Sequence, residues 1–118
     1  GTSLPPTPVS ESLFRLGLND ALPVSEEATT SRVVVNNDVL RTVVFTFDAG
    51  QQLTEHASPK AVVCTLLEGE MEFTVSGETN TLAAGDVVYL APGARHALTA
   101  LTPCRLQLVM VEVASEDA

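Results

Sequence analysis

Hydrophobic and polar positions alternate along this chain in short runs and do not recur at helical spacing. The clearest run is residues 70–76, where Met71, Phe73 and Val75 alternate with Glu70, Glu72 and Thr74. A period of two puts one set on a covered face and the other in water, which predicts a half-buried strand. Residues 33–35 and 39–47 are rich in valine and phenylalanine. They flank Asn36, Asn37 and Asp38, which accept the positive φ of a tight turn, so this region predicts a hairpin. Residues 61–67 are apolar with little alternation, which predicts a strand covered on both faces. Residues 80–82, 87–90, 96–100 and 105–113 complete the set. Each is bounded by glycine or proline punctuation such as Ala91-Pro92-Gly93 and Thr102-Pro103, where a lost ladder donor or a turned corner ends the strand.

Roughly eight to ten short strands without a long helix predict an all-β fold, a sandwich or barrel, and the jelly roll accommodates the pattern best. The barrel domain is expected over residues 31–113. Residues 1–30 form a tail and arm ahead of it, and residues 114–118 an acidic tail. Pro5, Pro6 and Pro8 favour an extended start. Leu13, Phe14, Leu16 and Leu18 then suit either one helical turn, capped by Ser10 or Ser12 and stopped at Gly17, or an extended arm laid over a partner. Gly1 in place of methionine reads as an added residue.

Composition narrows the function classes. A chain of 118 residues with 45% hydrophobic content and a mean hydropathy of +0.23 suits one folded domain with its own core. Fifteen acidic against six basic residues give a net charge of −9, which repels nucleic acid and anionic membranes. The longest apolar run falls far short of the ~20 residues of a membrane span, and nothing resembles a leader peptide. Cys64 and Cys104 are too few for a disulfide framework. They read as buried free thiols in a reducing compartment, hence a cytoplasmic protein.

Chemistry concentrates at two corners. Residues 85–96 run from Gly85 through a strand to Ala91-Pro92-Gly93 and then to His96, which shares a strand face with Leu98 and Ala100. Residues 50–69 run from Gly50 through an irregular stretch to His56, then an apolar strand ending at Glu68-Gly69. These are the only two histidines of the chain.

The two stretches resemble the two motifs of the cupin family. In the first, Gly50, His56 and Gly69 fall in register, while Ser58 stands at the second histidine and Val62 at the glutamate. In the second, Gly85, Gly93 and His96 match, Ala91 replaces the first proline with Pro92 directly after it, and Ala100 replaces the asparagine. The resemblance implies a double-stranded β-helix (jelly-roll) barrel whose motif side chains point inward and hold a divalent metal. Only His56 and His96 of the usual four ligands remain. Counting by twos from Val62 puts Cys64 on the same inward face as the one candidate third ligand from that strand. A weakly bound divalent transition metal on His56 and His96 is the most this set would carry, and no cofactor is certain.

The expected ligand pocket comprises His56, Ser58, Val62, Cys64, Tyr89, Arg95, His96 and Ala100. Small side chains at Ser58, Val62, Cys64 and Ala100 should leave an open, mostly apolar cavity with the histidines at its polar end, large enough for a compact carboxylate or aromatic molecule. Lys60 and Arg95 lie within four residues of the histidines and would recruit a carboxylate. Tyr89 is expected to pack within a sheet or reach the rim. The leading reading is a barrel that binds a small organic molecule. The alternatives are a metal-dependent oxygenase or isomerase and a structural or sensory subunit recognised by another protein. The apolar arm predicts a homodimer.

Overall fold

The computed structural model describes residues 6–114. Nine strands and one short helix follow in the order α1 (Leu18–Ala21), β1 (Thr29–Asn36), β2 (Leu40–Phe47), β3 (Gln52–His56), β4 (Ala61–Glu68), β5 (Glu70–Val75), β6 (Glu78–Ala83), β7 (Val87–Leu90), β8 (His96–Ala100) and β9 (Cys104–Val111). They form a five-stranded sheet, β1-β2-β9-β4-β7, and a four-stranded sheet, β3-β8-β5-β6. Each pairing is antiparallel. The fold is the all-β jelly-roll sandwich that the alternation predicts.

The core lies between the sheets. From the five-stranded sheet come Phe47, Val62, Cys64, Leu66 and Leu106, and from the other Met71, Phe73, Leu98 and Ala100. The alternation of β5 holds as expected, with Met71 and Phe73 buried and Glu70 and Glu72 exposed. Both cysteines are buried and free. Cys104 lies at the sharp β4–β5 turn, where its Sγ sits 3.0 Å from the Glu70 carbonyl. Gly69 makes that turn at φ +93°, and a Cβ there would meet the Pro103 carbonyl and the Cys104 thiol.

Two local expectations about the strands change. Residues 52–56 form strand β3 rather than an irregular stretch, so His56 ends a strand instead of preceding one. The polar residues of β3 conceal it in the sequence; pairing with β8 creates it. Strand β4 is not covered on both faces. Val62, Cys64 and Leu66 are buried, while Val63 and Leu67 face outward and are exposed. The register aligns Tyr89, Val63 and Val109 across that bare outer face.

The arm is extended over most of its described length, with α1 giving a single turn. Gly17, not Ser10 or Ser12, occupies the N-cap, in the left-handed region and without a side-chain cap. The arm is tied to the five-stranded sheet at three points. Thr7 N donates to the Asn36 carbonyl at 2.7 Å, and Arg15 Nε to the Val34 carbonyl at 2.9 Å. Buried Arg105 reaches the Asn19 carbonyl at 3.4 Å, while its Nε makes only an ionic contact with Glu68 at 3.5 Å. Phe14 and Leu16 face away from the sheet and are 87% and 82% exposed. Residues 1–5 of the expected tail and residues 115–118 of the acidic tail lie outside the described residues.

Candidate functional site

Strands β3 and β8 pair so that His56 stands directly opposite His96. Val75 of β5 completes that row from the other side of His96. The corners that deliver the histidines are joined. Gly93, at φ +82°, donates its N–H to the Ser58 carbonyl at 2.7 Å, a backbone conformation that L side chains rarely adopt. Arg95 Nε donates to Glu55 Oε1 at 2.7 Å beside the same strands. The two family-like stretches therefore converge on one end of the sandwich.

The imidazole rings are in contact, with centroids 4.1 Å apart and planes inclined by 59°. His96 is buried and its ring stacks on Phe73 at 6.2 Å, while His56 lies at the exposed rim. Each ring is held by the carbonyl two residues before it. His56 Nδ1 donates to Thr54 O at 2.9 Å, and His96 Nδ1 donates to Ala94 O at 3.1 Å. A carbonyl oxygen only accepts, so Nδ1 carries the proton in both rings, and in the neutral form Nε2 keeps its lone pair. Burial pushes the His96 pKa below the ordinary histidine value. The Ala94 carbonyl opposes this shift and the neighbouring His56 adds to it.

Beneath the rings is a cavity of about 60 Å³. Leu53, Phe73 and Leu98 wall it from the four-stranded sheet, and Phe45, Cys64, Leu106 and Leu108 from the other. It is far smaller than the expected pocket, because phenylalanine and leucine from facing strands fill the space that small residues were expected to leave open. Of the eight predicted pocket residues, His56, Cys64 and His96 line this cavity. Val62 and Ala100 are buried in the core outside its lining. Ser58 sits in the β3–β4 loop, where its Oγ accepts from Lys60 N at 3.2 Å.

Tyr89 neither packs inside nor reaches the histidines. It is 60% exposed on β7 and lines a larger open groove between the β5–β6 hairpin and β7, together with Glu78 and Asp86, and Phe73 borders both this groove and the cavity. Arg95 is exposed and paired with Glu55, and Lys60 pairs with Glu112 at 2.9 Å, so each cation expected to recruit a carboxylate already has one. Sequence reasoning passed over Phe45, Leu53, Leu106 and Leu108. The alternation of their strands was the available signal, but it does not say which residues of opposite sheets meet.

The residues present do not fit a resident divalent ion. Among the described residues, no three His, Cys, Asp or Glu side chains converge as a ligand group. Cys64, the expected third ligand, is not part of one, and burial pushes its pKa up to about 12, so it stays a protonated thiol. Two neutral imidazoles bring no charge to offset the dehydration of a divalent ion.

The Cupin_2 family model, for the cupin domain, matches residues 43–112 and so spans both histidines. The chain belongs to the cupin family. Among solved structures, this cupin is similar to a conserved protein of unknown function from Streptococcus pyogenes, with 28% identity, a TM-score of 0.80, and coverage of 97% of this chain and 100% of that one. A cupin superfamily protein from Desulfitobacterium hafniense shares 18% identity at a TM-score of 0.77, covering 95% and 100%. The DMSP lyase DddQ from Ruegeria pomeroyi shares 23% identity at a TM-score of 0.66, covering 71% of this chain and 47% of that one. The last two likenesses are of fold alone. Comparison with curated proteins gives no match.

Proposed function

We propose that this cupin binds a small organic molecule at the end of the barrel where His56 and His96 meet, without a resident metal. The observation that carries the reading is the contact between the two imidazoles, 4.1 Å apart, at the head of an apolar cavity. Small-molecule sites place a few convergent polar groups in apolar walls, and this end of the sandwich has that composition. Its volume suits the tip of a ligand, with the remainder lying over the rim near His56. The metal-dependent oxygenase or isomerase reading lacks a third ligand, and nothing in the site favours it. Metal analysis of untagged protein purified without chelator tests the choice. The expected result is well below one metal per chain and a melting temperature unchanged by EDTA. Stoichiometric metal that survives dialysis, with a large drop in melting temperature on chelation, would reverse it.

The proposal includes a second copy of the chain as partner. The arm is fastened to its own sheet by backbone and arginine contacts, yet Phe14 and Leu16 project outward. The outer face of the five-stranded sheet presents Val63, Val87 and Tyr89, likewise exposed. Burying such side chains is worth about 1.5–3 kcal/mol each. An isologous pair would let each copy supply both the arm and the face.

A further inference from the structure

We infer that the ligand of the His56–His96 end is a neutral molecule that presents a slender hydrogen-bond-donating tip, such as a hydroxyl on an unbranched alkyl chain. The inference rests on the pocket reading above and adds the chemical class.

Both Nδ1 atoms are committed to backbone carbonyls, so each neutral ring offers the pocket an Nε2 acceptor and no donor. Among the described residues, no hydrogen bond is made by Nε2 of either ring. With the rings in contact, a hydroxyl at the head of the cavity donates its one hydrogen to an Nε2 and lies against the other ring. A carboxylate is the wrong complement, since it would face two lone pairs. The nearby cations, Arg95 and Lys60, are already paired with Glu55 and Glu112. A wholly apolar guest would cover Nε2 and leave it without a partner, which costs more than the hydrogen bond gains. A divalent ion lacks a third protein ligand among the described residues.

Size selects further. The cavity of about 60 Å³ is well under half of the roughly 150 Å³ of an apolar cavity that takes up benzene, so a single chain of atoms enters where a ring does not. The walls below the rings, among them Leu53, Leu98 and Leu106, ask nothing polar of the part that follows the tip.

The test uses three probes of matched length, namely 1-butanol, methyl propyl ether and butyrate, at pH 8, above the ordinary histidine value. Binding is followed by the imidazole ¹H–¹⁵N signals of His56 and His96, which also report the Nδ1–H tautomer. Butanol is expected to shift both rings saturably and to bind about tenfold tighter than the ether, the size of one net hydrogen bond. Butyrate is expected to give no saturation. Equal affinities for butanol and ether would overturn the donor inference while leaving the pocket intact, and tighter binding of butyrate would overturn it in favour of an anion. If none of the three moves either histidine, the pocket reading itself falls.

Discussion

Phe73 is the side chain on which the cavity, the burial of His96 and a share of the core all depend, and replacing it with alanine separates these contributions. Its ring is 2% exposed, lines the cavity and stacks on His96. Burying a phenylalanine is worth about 1.5–3 kcal/mol in transfer from water. The void left behind adds a second cost. An apolar cavity of roughly 150 Å³ takes up benzene. To approach that size, the existing space of about 60 Å³ must grow by roughly 90 Å³, at about 24 cal/mol per Å³ or about 2 kcal/mol. The sum, about 3.5–5 kcal/mol, falls within the ~3–5 kcal/mol observed for large aromatic truncations.

Urea denaturation measures that cost directly. A domain with about 5–15 kcal/mol of stability stays folded or nearly so, and the variant should then be rescued by benzene. At tenfold its dissociation constant, benzene restores about 1.4 kcal/mol and raises the melting temperature of Phe73→Ala but not of the parent. Water entering beside His96 also relieves the desolvation that depresses its pKa, so its titration should move up toward the ordinary histidine value. A cost under about 1 kcal/mol, with no benzene response and an unmoved His96 titration, would refute the packing argument.

Three further outcomes follow from the same coordinates. Because burial lowers the folded-state pKa of His96, the unfolded chain binds the extra proton first, so its contribution is complete above about pH 6.5 and is lost as pH falls through the folded value; melting curves should show this acid loss reduced in His96→Gln. Gly69→Ala places a methyl against the Pro103 carbonyl and 2.8 Å from Cys104 Sγ at a φ of +93°, and should cost about 3 kcal/mol or more by denaturant titration, with a cost below 1 contradicting the turn geometry. Light scattering at micromolar concentration should return twice the single-chain mass, and a Phe14→Ser, Leu16→Ser double variant should return one; a monomeric parent would remove the proposed partner.

What the sequence made legible divides along physical lines. Alternation in β5 and the valine-rich runs of β1 and β2 are local signals, and they carried the all-β fold. The glycine spacing that marks His56 and His96 is also local, while the β3–β8 pairing sets the two imidazoles opposite each other. Strand β3 escaped because Gln52, Thr54 and Glu55 have no apolar face of their own, and the strand exists by pairing with β8. Cavity size escaped for a longer-range reason. Small residues were counted along β4 and β8, but the volume is set by Phe45 and Leu108 arriving from β2 and β9, which share the sheet of β4 and face β8. The pairings of Lys60 with Glu112 and Arg95 with Glu55 depend on strand register, which one-dimensional spacing does not encode.

The substitutions that weaken the metal site and those that tighten the core are the same substitutions. Val62 occupies the position where the family motif has glutamate, and here it is 3% exposed with Leu90 and Met110 as its strand partners. A carboxylate buried there would require a cation to offset its desolvation, and without one the penalty runs to several kcal/mol. An apolar side chain removes both the ligand and the need for an ion. Cys64 follows the same logic, since burial raises its pKa to about 12 and keeps it an uncharged hydrophobe. What remains is a pair of imidazoles tied through Nδ1, each able to accept a hydrogen bond or a proton at Nε2. Protonating His96 would place a charge beside Phe73 and against a second imidazole, which the lowered pKa opposes. Accepting a hydrogen bond from a neutral guest carries no such cost, and that is the chemistry the apolar walls leave open.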